Sequence, residues 1–169
     1  MRLTLCLAAL AASVATASPA LAQSASAAGQ AQGTVLQSLT LTNVEDLDFG
    51  VVAPDANDPG TVSINANTGV RSTSGGVVAL PGSFSRAQFI GYGSQGQEVQ
   101  LTLNQPAGGV LTSGANSIGA LLGLDSGGAT RVIGAGGSFT VYVGGTFNIA
   151  ANQANGFYSA QFDLTADYQ

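Results

Sequence analysis

Two long stretches of the chain alternate apolar and polar residues with a period of two. In residues 138–149, Phe139, Val141, Val143, Phe147 and Ile149 hold one parity, with Gly145 in the same register. In residues 157–168, Tyr158, Ala160, Phe162, Leu164, Ala166 and Tyr168 hold one parity, and Ser159, Gln161, Asp163, Thr165 and Asp167 hold the other. Successive side chains of a strand point to opposite faces, so each run predicts a half-buried strand. Gly145 predicts a bend or bulge in the first of them. Asn155-Gly156 is a favoured left-handed turn dipeptide, and it predicts that the two runs pair as an antiparallel hairpin with a longer loop.

Shorter signals fill the rest. Val35, Leu39 and Leu41 alternate with polar residues, broken at Leu36, and a second short strand is expected at residues 47–50. Residues 51–54 lead into a strong turn signal at residues 55–60; residues 61–65, 69–71, 75–80, 87–90 and 130–133 each read as a brief strand closed by turn residues, and residues 98–104 alternate cleanly through Val99, Leu101 and Leu103. Residues 120–124 are a strand or a buried loop, because flanking glycines argue against a helix. Eight or so short strands without a helical period predict an all-β fold, an antiparallel β-sandwich of immunoglobulin-like, pilin-like build. Glycine makes up 24 of 169 residues, about twice its usual ~7% share, which suits many tight turns. Asp163 and Asp167, on the polar face of the last run, are suited to guarding a sheet edge.

The start of the chain has a different composition. Arg2, the apolar run 3–12, and the small residues Ala20 and Ala22 form a secretory signal over residues 1–22, too short and too interrupted to cross a membrane as a helix. Cys6 follows Leu5, where lipid attachment would want a small residue. Residues 23–33 contain no large apolar side chain and cannot offset the entropy of ordering, so they predict a flexible tail before a single sandwich domain over residues 34–169. The expected location is outside the cytoplasm: periplasm, cell surface or medium. Without a cysteine after the signal, stability has to come from packing and strand pairing.

Charge and missing residue types narrow the function. Nine carboxylates face four arginines and no lysine, a formal net charge of −5, so neither nucleic acid nor an anionic membrane surface is an expected partner. Histidine and tryptophan are absent. Triads, Schiff bases and soft metal sites are thereby excluded, and no cofactor is expected. Carboxylate pairs such as Asp46/Asp48 and Asp55/Asp58 are the remaining route to hydrolysis, although Asp48 alternates with apolar neighbours and the second pair lies in a turn. Asp55, Asn57 and Asp58 offer too few oxygens for calcium and read as residues satisfying their own turn. Arg71 and Arg86 are expected to be solvated or ion-paired. No catalytic or metal-binding residue is assigned, and the chain is expected not to be an enzyme.

Two resemblances add to this reading. Gly156, the alternating face through Tyr158, Phe162 and Leu164, and Tyr168 next to the end of the sequence resemble the terminal strand of chaperone-usher pilus subunits, although this sequence lacks the disulfide that many of them carry. That resemblance implies docking by strand pairing, with a periplasmic chaperone or another copy as partner. The segments 47–50, 60–62, 69–71, 75–77, 87–89, 143–147 and 152–168, taken in order, resemble the bacterial domain of unknown function 4402 over about residues 39–169. The family implies an exported β-domain and declares no function.

The expected function is therefore that of an exported structural or adhesive surface protein, assembling or interacting by β-strand addition. Gly156, Tyr158, Phe162, Leu164 and Tyr168 are the candidate docking residues; Val35, Leu39 and Leu41 are the candidate donor strand. The alternative is a self-complete secreted or periplasmic module for a glycan or surface polymer, in which residues 35–41 complete their own sheet.

Overall fold

The computed structural model describes residues 24–169; the expected signal segment lies outside the described residues. Residues 24–34 carry no regular secondary structure and are exposed. The compact unit Val35–Gln169 is all-β and antiparallel. Its strands are β1 (Thr40–Glu45), β2 (Val52–Pro54), β3 (Gly60–Ile64), β4 (Arg71–Gly75), β5 (Val77–Ala79), β6 (Ala87–Tyr92), β7 (Glu98–Asn104), β8 (Val110–Ser113), β9 (Asn116–Leu124), β10 (Thr130–Val132), β11 (Ser138–Ile149) and β12 (Asp163–Tyr168).

The long alternating run 138–149 becomes β11, the organising strand of a seven-stranded sheet. Along one edge it pairs first with β6, from Ser138 to Val143, and then with β3, from Gly145 to Ile149. Its other edge carries β9 from Val143 to Phe147. The switch of partner falls at Gly144-Gly145. A Cβ on Gly144 would strike the Ile64 carbonyl, and one on Gly145 would sit 2.6 Å from Leu122 Cδ2 and 2.8 Å from the Leu121 carbonyl. Close approach of three strands therefore requires these glycines; in place of the expected bend or bulge at Gly145, pairing with β9 runs through without a register shift while the other edge passes from β6 to β3. The ladder irregularity lies between Asn43 and Glu45, where β1 meets β6.

β10, β7 and β12 form a second sheet, and β2 pairs with β5 in a small ribbon. The two larger sheets share one apolar core, a sandwich-like arrangement: Val62, Val99, Ile133, Val141 and Val143 are its most deeply buried large side chains, and Leu103, Phe162 and Leu164 pack against it. Phe49 meets Phe147 edge to face at a centroid distance of 4.6 Å, a geometry favoured by the ring quadrupoles.

The expected hairpin between residues 138–149 and 157–168 does not form. Both edges of β11 are taken, so the later run pairs with β7, from Asp163↔Asn104 to Tyr168↔Val99. Strand geometry begins only at Asp163; residues 156–162 cross the end of the molecule, with a single bridge from Ser159 to Thr112. The left-handed residue in this connection is Asn152 (φ 51°), not Asn155 or Gly156. Residues 120–124 prove to be the end of β9. Its partner β8, which has no clear alternation, closes onto it through Gly114-Ala115, with Gly114 at φ 59°.

Candidate functional site

A groove of about 1300 Å³ opens between β1 and β12. Leu41, Phe89, Leu111, Ile118, Phe147 and Leu164 give it an apolar lining drawn from six strands. Among the described residues, β1 pairs only with β6 and β12 only with β7, so each has an edge without a strand partner.

The direction of those free edges follows from hydrogen-bond alternation. Gln169 N–H bonds the Glu98 carbonyl at 3.1 Å, so the pairs 167/100, 165/102 and 163/104 are the mutually bonded ones. The main-chain N–H and C=O groups of Leu164, Ala166 and Tyr168 consequently point away from β7. On the other side, Gly93 N–H bonds the Gly137 carbonyl at 2.9 Å, which assigns the odd residues of β6 to β11 and the even ones to β1. Leu41 and Asn43 then turn their main-chain groups away from β6. Two rows of unpaired peptide groups therefore border one apolar groove.

Burial agrees with this. The core-facing residues of β11 are buried, whereas Leu41, Phe162, Leu164 and Ala166 are only half-buried, although they pack against the same core. Apolar surface is thus left partly in water along two facing edges.

At one end the gap is tied shut. Tyr168 Oη donates to the Gln37 carbonyl at 2.8 Å and accepts the Ser94 N–H at 2.7 Å, while Gln37 N–H donates to Ser94 Oγ at 2.7 Å. At the far end Phe162 packs edge to face on Phe89 with centroids 6.0 Å apart. Tyr158 Oη accepts from Gln153 Nε2 and donates to the Ala154 carbonyl, both at 2.8 Å. Gly156 lies against Ser113 of β8, where a Cβ would collide with the serine hydroxyl. Of the five candidate docking residues, Gly156, Tyr158, Phe162 and Leu164 line the groove, the first two from the crossing segment at its far end, and Tyr168 ties the other end of the gap. Of the candidate donors, Leu39 and Leu41 pack on their own domain's core, and Val35 is 96% exposed.

Sequence reading alone missed Phe89, Leu111, Ile118 and Phe147 as groove residues. Alternation marks Phe89 and Phe147 as apolar strand positions but does not distinguish a groove floor from a closed core. The Leu111↔Ile118 pair, closed by Gly114, was the available signal for the missed hairpin.

The charged residues of the lining are Asp46, Asp48 and Asp163. Asp46 accepts a hydrogen bond from Asn43 Nδ2 at 2.6 Å and Asp48 from Gly50 N–H at 2.8 Å, so both hold local turns. Asp125 pairs with Arg131 and accepts Tyr142 N–H at 2.8 Å. Among the described residues, Arg71 and Arg86 do not pair with carboxylates. Arg71 bonds the Phe49 and Leu80 carbonyls and lies 4.6 Å from the Phe84 ring centroid; Arg86 bonds the Ala66 carbonyl and lies 3.5 Å over Tyr142. Asp55 accepts Asn57 N–H at 2.8 Å and Asp58 N–H at 3.2 Å, which holds its carboxyl below the ordinary carboxylate value. What the groove presents is main-chain hydrogen bonding beside apolar surface.

The profile of the family described as domain of unknown function (DUF4402) matches residues 39–168. The chain belongs to that family. The matched region spans β1 to β12, so both borders of the groove lie within the DUF4402 domain. No curated protein and no solved structure matches the chain.

Proposed function

We propose that this DUF4402 domain is an exported, pilin-like structural or adhesive surface protein that accepts an extended strand in the groove between β1 and β12. The observation that carries the proposal is the coincidence of two unpaired strand edges with half-buried Leu41, Phe162 and Leu164 along one groove. An inserted strand would satisfy main-chain donors and acceptors on both borders and cover those side chains together, which is how strand addition combines affinity with selectivity. The partner on this reading is another copy or a periplasmic chaperone.

The placement of Thr40–Glu45 in its own sheet supports a second reading, a self-complete module taking a glycan or surface polymer in the same groove. One comparison separates them. Negative-stain microscopy of cells with and without the protein is combined with amide exchange on protein recovered from the surface. Strand addition is expected to give surface assemblies that vanish with the protein, and slow exchange at Leu164 and Ala166. A stable monomer with fast exchange at both amides and no assemblies would overturn it.

A further inference from the structure

We propose that the strand taken by the groove is the segment 24–35 of a second copy of this chain, laid in with Ala25, Ala27, Gly29, Ala31, Gly33 and Val35 toward the apolar floor. This rests on reading the groove as a strand acceptor, and goes further by naming the occupant and its inward face. The segment alternates with a period of two: those six residues hold one parity, and Ser24, Ser26, Ala28, Gln30, Gln32 and Thr34 hold the other. One face is small and apolar throughout; the other is polar except at Ala28. Such a pattern fits a strand with one face against a floor and one toward water.

Three further observations point to it. Residues 24–35 are exposed and carry no regular structure, so their peptide groups are free to join a ladder. At about 3.3 Å per residue the twelve residues reach on the order of 40 Å, about twice the length of a six-residue strand such as β12. Residues 24–44 contain no charged side chain, and all nine carboxylates lie from Glu45 onward. In an acidic protein whose groove is bordered by Asp46, Asp48 and Asp163, this is the stretch that enters without like-charge repulsion.

A second copy, rather than the same one, is the donor because the chain is held at Gln37 through both its N–H and its carbonyl. In the same copy residues 34–36 would be spent on the reversal just before that anchor, so Val35, the largest inward side chain, could not enter the groove, whereas the segment of a second copy enters whole.

The test uses the full chain and single lysine substitutions on the two faces of an exposed segment, which leave the folded domain untouched. Ala25→Lys, Ala27→Lys and Ala31→Lys are expected to weaken self-association by about ten-fold or more, since an ammonium would be driven onto apolar surface. Ser26→Lys, Gln30→Lys and Gln32→Lys are expected to leave it within about two-fold. Sedimentation reads the association, and amide exchange at Leu164 and Ala166 reads the groove. Equal behaviour of the two faces, with both amides slow in the wild-type assemblies, would overturn the donor assignment and spare the acceptor. Fast amides in those assemblies would overturn both. A wild-type monomer with slow amides would show insertion within one chain and overturn the second-copy assignment; a wild-type monomer with fast amides would overturn both.

Discussion

Tyr168 Oη donates a hydrogen bond to the Gln37 carbonyl at 2.8 Å, joining residues 131 positions apart in sequence. Because the same hydroxyl accepts Ser94 N–H, one side chain ties the lead-in to β1, the loop after β6 and the end of β12. Tyr168→Phe keeps the ring and removes the hydroxyl. The partly buried Ser94 N–H and the exposed Gln37 carbonyl lose their partner, and the expected cost is about 1 kcal/mol. Chemical denaturation checks the loss, and faster amide exchange at Ser94 locates it.

Ala166 lies opposite Leu101 and Leu164 opposite Leu103, yet the burial of β7 and β12 differs. Leu101 is 2% exposed, whereas Leu164 borders the groove and is half-buried. Leu101→Ala is expected to cost about 2–5 kcal/mol in the isolated domain, and Leu164→Ala about half of that or less. Strand insertion covers Leu164, so its substitution is expected to become the more costly of the two in assemblies relative to monomer. Denaturation midpoints of both variants in both states measure the difference.

Asp125 joins three elements: its carboxylate meets Arg131 in β10 and accepts the Tyr142 N–H of β11 from the turn after β9. The two side chains are 13% and 11% exposed. Asp125→Asn leaves a largely desolvated guanidinium without its counter-charge, and the expected loss is about 3 kcal/mol. Asp125→Asn with Arg131→Met is expected to recover part of it, since the stranded charge is gone. A double-mutant cycle read by thermal denaturation checks the coupling.

Asp55 supplies the acid-side dependence. The N–H groups of Asn57 and then Asp58 lower its pKa below 3.8. A carboxyl depressed on folding adds stability above its unfolded value, and that contribution disappears as pH falls through the folded value. Asp55→Asn keeps the turn acceptor and removes the titration. Its stability is expected to fall less steeply than wild type as pH drops below about 4, as followed by urea midpoints.

Much of the architecture is legible in the sequence because strand formation is written in local alternation. Residues 98–104 and 138–149 have the bounds of β7 and β11, since both strands combine β-branched or aromatic residues with unbroken parity. β8 and the first half of β9 are obscured because Gly114 and the polar residues around it resemble an irregular loop. Parity also places Phe162, Leu164, Ala166 and Tyr168 on one face, and the structure keeps that face inward.

Partnership is a different matter. Alternation says which side of a strand faces the core, but not which strand lies beside it, because ladder hydrogen bonds are made by peptide groups common to every residue. The sequence by itself therefore determined an all-β chain, most of its strand positions and the inward face of β12. Only the tertiary structure decided that β11 has both edges filled, that β12 turns to β7, and that β1 and β12 border a common groove. Edge occupancy depends on how every strand competes for a limited number of edges, and that competition is settled only when the sheets are assembled.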